Sequence, residues 1–125
     1  MARLNKLLGK LTQTPEELRS EELKRWAATV PSVTPLGEAP SRERVKVVGV
    51  VESIRIDPRE GSGSIEATLC DGTGEIVARW LGRQSLSGIR LGAALAVEGI
   101  LGEGSEGKRV VLNPEYHLIE GPAAG

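Results

Sequence analysis

Seven side chains in this 125-residue sequence are the candidates for recognising a polyanion. Arg55, Arg79, Arg83, Lys108 and Arg109 can neutralise phosphates, and Trp80 and Tyr116 offer rings on which a base can stack. Arg79 is the most informative of them. It lies in the run Ile76-Val77-Ala78-Arg79-Trp80-Leu81, and an unpaired guanidinium is too costly to enter an apolar core. Strand alternation therefore places Val77 and Arg79 on an open face and turns Ile76, Ala78 and Trp80 inward. Trp80 joins the open face only if a bulge at the strand end re-aims it. Glu66, Thr68 and Cys70 form the outward set of the preceding run, where Glu66 would repel phosphate. Tyr116 and His117 face opposite ways, Tyr116 closing the core with its hydroxyl at the rim and base stacking as its second use. Taken singly, each of these charges also reads as ordinary solvated surface.

Catalytic chemistry has little to work with. One His and one Cys exclude an internal disulfide and a Cys-rich metal site, and His117 has no second His beside it. Gly72-Thr73-Gly74 is too short for a phosphate loop and has no helix behind it. The expectation is no enzyme, no cofactor and no metal. A formal net charge of −1 removes the simplest argument for nucleic acid, so an anion site must be a local patch. No apolar run approaches the roughly 20 residues of a membrane span, and Met1–Leu11 lacks the features of a signal peptide, which leads to a soluble cytoplasmic expectation.

The elements that would position these groups follow from period and punctuation. Ile65, Ala67 and Leu69 alternate before Asp71-Gly72-Thr73-Gly74, and Ile76, Ala78 and Trp80 alternate after it, which predicts a hairpin. Ahead of it, Val45 to Ile56 is a β-branched run interrupted by Gly49, the long bent first strand of a small closed barrel. Gly82–Leu91 is a connector with room for one helical turn. A fourth strand over Ala93–Leu101 turns Leu95, Val97 and Leu101 inward, and a fifth over Lys108–Leu112 and Tyr116–Ile119 is broken at Asn113-Pro114. With 2% aromatics, the core must be aliphatic.

At the front, Leu4, Leu7, Leu8 and Leu11 mark a short amphipathic helix. Thr14-Pro15-Glu16-Glu17 starts a second helix, expected to run to about Ala28 with Leu23, Trp26, Ala27 and Val30 as its apolar stripe. Trp26 is expected to pack it onto the barrel or onto another chain. The organisation is a helical extension over 1–30, a Pro-rich extended linker over 31–43, a barrel over 44–120 and a disordered tail over 121–125. The fold class is all-β, a five-stranded OB-fold barrel with an N-terminal α-helical extension, with an SH3-like barrel as the competing architecture.

Val47-Val48-Gly49-Val50-Val51, Leu69-Cys70-Asp71-Gly72-Thr73-Gly74, Trp80-Leu81, Ile89-Arg90-Leu91-Gly92, Val97-Glu98-Gly99 and Asn113-Pro114-Glu115-Tyr116 together resemble the OB-fold of the tRNA-anticodon and helicase-wedge type, and small stand-alone bacterial proteins of that kind. The resemblance covers about 44–120. It implies a five-stranded barrel, a single-stranded or forked nucleic-acid ligand, and no metal or catalysis. Related helicase wedges carry aromatic pairs near the end of strand 3, where this chain has Trp80-Leu81. From Arg44 to Glu120 there are nine Lys/Arg against eleven Asp/Glu.

Two function classes remain. The first is a non-catalytic module binding single-stranded or junction DNA, or RNA, moderately to weakly and with salt sensitivity. The second is a protein-interaction or self-association module working through the barrel face or the N-terminal helix, with no membrane role in either case.

Overall fold

The computed structural model describes residues 13–59, 63–83 and 85–122. The expected helix over Met1–Leu11 and the last three residues of the tail lie outside them. Helix α1 spans Pro15–Ala28, as its start signals require. The Thr14 hydroxyl caps it by accepting the Glu17 N–H at 3.1 Å, Pro15 fills the first turn, and Arg25 stands in the last. Among the described residues no helix is long and apolar enough to cross a membrane.

Strands β1 (Arg44–Asp57), β2 (Ser64–Cys70), β3 (Glu75–Leu81), β4 (Ala94–Glu103), β5 (Arg109–Leu112) and β6 (Glu115–Ile119) form the barrel. Strand β1 serves two partners, pairing with β4 over Arg44–Val50 and with β2 over Val50–Asp57. The handover sits beside Gly49, where a Cβ would lie 2.8 Å from that of Leu69. Only glycine lets β1 cross β2 so closely. A register shift between Val51 and Ser53 then re-aims the second half of β1. Parallel pairing of β3 with β5 closes the ring. Strands β5 and β6 share the same partner, β4, so the expected broken fifth strand is observed as two short strands separated at Asn113-Pro114. Asn113 takes φ 49°, donates its N–H to the Arg79 carbonyl at 2.6 Å and accepts the Leu81 N–H on Oδ1 at 2.9 Å.

Two apolar cores explain why Val45–Val51 of β1 is valine at every position but Lys46 and Gly49. Val45, Val47 and Val51 face the interior with Leu69, Ile76, Leu95, Val97, Leu101 and Val111. Val48 and Val50 face outward with Ala94 and Ala96, and Leu23 and Trp26 of α1 cover them. The Trp26 indole N–H donates to the Glu120 carbonyl at 2.9 Å. Gly121 and Pro122 are half-buried beside Trp26, a packing that the expectation of an unpacked tail did not include.

Linker 31–43 is also more structured than an extended connector. It forms a 3-10 turn over Leu36–Glu38, and Leu36 is fully buried. Asp71, the buried carboxylate of the β2–β3 turn, holds it there. Its Oδ2 accepts the Leu36 N–H at 2.9 Å, while Oδ1 accepts the Thr73 N–H at 2.8 Å, the Thr73 hydroxyl at 2.6 Å and the Gly74 N–H at 3.3 Å. A carboxylate is suited to the place because it only accepts, with lone pairs enough for all four. The connector between β3 and β4 contains turns and no helix among its described residues, and Leu86 and Ile89 pack onto the interior core.

Candidate nucleic-acid interface

Register alone assembles an open face from three rows. Ser53, Thr68, Val77 and Val110 are cross-strand neighbours; Arg55, Glu66, Arg79 and Leu112 form the next row; Asp57, Ser64 and Leu81 form the third. The interior residues Ala67, Ala78 and Val111 are fully buried on the other side, so alternation turns these rows outward. A groove of about 540 Å³ runs over the first two rows, and the loop between β4 and β5 adds Lys108 and Glu106 to its wall. An adjoining hollow of about 550 Å³ continues it toward Arg59 and Leu81.

The charges are arranged unevenly. Glu66 takes Arg79 through Nε at 2.7 Å and Nη2 at 2.5 Å, with both side chains only partly exposed. Glu66 thus engages the guanidinium that stands in the middle of the groove. At the groove's end Arg59 grips Asp57 through Nε and Nη2, at 2.6 to 3.1 Å. That guanidinium holds the Asp57 carboxyl below its ordinary value, and the carboxylate raises Arg59 in return. Among the described residues no ion pair engages Arg55 or Lys108, both exposed. Of the three cations lining the groove, only Arg79 is held in an ion pair among the described residues.

The seven candidate residues separate into three groups. Arg55, Arg79 and Lys108 converge on the groove. Arg83, Trp80 and Tyr116 line a different depression at the end of β3. Arg109 belongs to neither: its guanidinium donates to the carbonyls of Ala39 at 3.1 Å, Leu36 at 2.6 Å and Glu75 at 3.4 Å. It clamps the linker to the barrel, with both Nη2 donors and one Nη1 donor engaged by backbone carbonyls. Trp80 is 5% exposed and gives its indole N–H to the Pro114 carbonyl at 3.0 Å. It is a core residue, as alternation requires, and not a stacking platform. The Tyr116 ring stands edge-on to Trp80, with centroids 5.5 Å apart, and its hydroxyl donates to the Ser87 carbonyl at 3.2 Å, which leaves it half-buried at the rim.

Three apolar members of these rows were not singled out from sequence: Val110 and Leu112 on β5, and Leu81. The alternation that puts Arg79 outward does the same for Leu81, so that signal was present. For Val110 and Leu112 it was not, because their place beside Val77 and Arg79 depends on a parallel pairing between strands distant in the chain.

A family model described as an OB-fold nucleic acid binding domain, tRNA_anti-codon, matches residues 45–119. The chain belongs to this family. The match begins one residue into β1 and ends with β6, so the OB-fold domain is the barrel described above. Among solved structures, RecG bound to a three-way DNA junction is similar at 20% identity and a TM-score of 0.56, over 71% of this chain and 13% of that one. A replication protein A heterotrimer bound to ssDNA is similar at 20% identity and a TM-score of 0.49, over 79% of this chain and 75% of that one. The RecG likeness is one of fold, and the chain spans about an eighth of RecG's length. No curated protein matches the chain.

Proposed function

We propose that this OB-fold domain binds single-stranded or junction DNA in the cytoplasm, weakly and without catalysis. The observation that carries the reading is the convergence of Arg55, Arg79 and Lys108 on one groove across the open face of β1, β2 and β3. A groove with cations along it tracks a phosphate backbone, and the shortage of exposed aromatics keeps base stacking weak. The barrel is not basic overall, so affinity rests on these few contacts. DNA is the first ligand to try, since RecG, which shares the fold, was solved on a three-way DNA junction. A binding rather than catalytic role is supported by the surroundings of Cys70. It packs against the core under α1, and burial pushes its thiol above the ordinary value, which suppresses the nucleophilic thiolate.

A labelled oligonucleotide of about five nucleotides tests the proposal, that length lying within the usual site size of one OB-fold. With Arg55 and Lys108 as the available phosphate contacts, log affinity falls against log salt with a slope of about −1.4, a loss of about sevenfold between 50 and 200 mM. Lys108→Ala or Arg55→Ala should each reduce that slope by about 0.7. Absence of binding at about 50 mM salt refutes the proposal. The alternative is a protein-interaction module working through the barrel face or the N-terminal helix, and for helix α1 the support is weaker. Leu23 and Trp26 are already buried against the barrel, leaving Leu18 as the exposed large apolar residue of α1.

A further inference from the structure

Leu81 borders two depressions. On one side it lines the hollow that holds Arg55 and Arg79. On the other it lines a depression of about 610 Å³ with Arg83, Leu86, Pro114 and Tyr116. It is the last residue of β3 and half of its surface is exposed, so the two spaces are joined across a low apolar ridge. Arg83 stands exposed just past that ridge, beyond Gly82, whose φ of 70° turns the chain away from the sheet. The floor is held in place: the Tyr116 hydroxyl is bonded to the Ser87 carbonyl, its ring edge rests on Trp80, and Pro114 is buried. Glu115, the carboxylate on this wall, faces Arg44 at 3.8 Å, which draws part of its charge away from the depression.

We propose that this depression is a second subsite for the same polynucleotide, which leaves the groove over Leu81 and sets a phosphate against Arg83 and a base against Leu81 and the exposed edge of Tyr116. The inference rests on the reading of the groove as a nucleic-acid site and adds the direction in which the strand leaves it. It also selects the ligand. The groove lies on the outward face of the sheet, whereas the depression lies at the end of β3 over residues that close the interior core. A ligand filling both must change direction at one side chain. A single strand can do so; duplex DNA, stiff over about 150 base pairs, cannot without kinking. The preferred ligand is therefore a single strand, or the single-stranded arm of a junction, longer than the groove alone accommodates.

The test compares single strands of about five and about 15 nucleotides, spanning the site sizes usual for one OB-fold, on wild type, Arg83→Ala and Lys108→Ala. Losing one phosphate contact on a single strand corresponds to about eightfold at 50 mM salt and a slope change of about 0.7. Arg83→Ala should show that loss with the long strand and none with the short one, while Lys108→Ala weakens both. If Arg83→Ala binds the long strand like wild type while Lys108→Ala weakens it, the subsite is refuted and the groove stands. If neither strand binds wild type, the groove reading itself fails. A 15-base-pair duplex that binds as tightly as the long strand, with the same loss in Arg83→Ala, overturns the directional argument.

Discussion

Glu66→Gln should strengthen oligonucleotide binding, and this is the sharpest consequence of the groove's charge arrangement. In the folded protein Glu66 holds Arg79 through two guanidinium nitrogens in the middle of the groove. Removing the carboxylate charge leaves an amide oxygen that can still accept one hydrogen bond but no longer neutralises the arginine. Both partners are partly exposed, so the pair contributes at most about 1 kcal/mol to stability and the variant should remain folded. Arg79 then becomes a third available phosphate contact. With about 0.7 counterions released per phosphate on a single strand, and the electrostatic contribution vanishing near 1 M salt, the gain is about eightfold at 50 mM and about threefold at 200 mM. The slope of log affinity against log salt should steepen from about −1.4 to about −2.1. Fluorescence anisotropy of a labelled five-nucleotide strand across that salt range measures both quantities. A gain is more telling than a loss, because misfolding or a damaged surface does not produce one. Unchanged or weaker binding by a folded Glu66→Gln variant would refute the argument that Arg79 is held back by its neighbour.

Other consequences concern what holds the groove in shape. Asp71→Asn leaves one carbonyl oxygen for four donors, so that either the Leu36 N–H or the turn donors face an amide NH₂; loss of a charged hydrogen bond with an unsatisfied buried donor costs about 3 kcal/mol, and urea unfolding should show it. Trp26→Ala should cost about 3 to 5 kcal/mol as a large-to-small change in the second core, whereas Trp26→Phe should lose about 1 kcal/mol with the bond to the Glu120 carbonyl; neither should alter oligonucleotide affinity in the folded fraction. Cys70 should react with an alkylating reagent more slowly at pH 8 than an unhindered thiol, because burial raises its pKa. The sign of the linked stability follows: a thiol whose folded pKa lies above its unfolded value favours the fold while protonated, so that contribution is intact below the unfolded pKa and disappears as pH rises through the folded one. A Cys70 that reacts at the rate of a free thiol would show that α1 does not cover it.

Much of the architecture was legible in the sequence because it depends on neighbours in the chain. The Thr14 cap, the Asp71-Gly72-Thr73-Gly74 turn and the alternation of Ile76, Ala78 and Trp80 each involve residues within a few positions of one another, and local conformational preference is enough to write them. Gly49 was legible for a related reason: a glycine inside a β-branched run marks where backbone approaches backbone. The outward direction of Arg79 followed from the cost of burying an unpaired guanidinium.

What the sequence determined by itself, then, was the order of strands and turns, the inward set of the barrel and the helix that begins at Pro15. Tertiary structure alone decided how the cations are used. Arg109 reads as one more basic residue of the last hairpin, yet it is bound to carbonyls 70 and 73 residues earlier in the chain. Arg83 carries the same charge as Arg55 but lies across Leu81 from it, in another depression. Glu66, expected only to repel phosphate, is paired with Arg79 because the β2–β3 register sets them opposite one another. A side chain's charge is local, but the partner that leaves it free or engages it is brought by the path of the chain, and closing a barrel brings together residues that no local pattern connects.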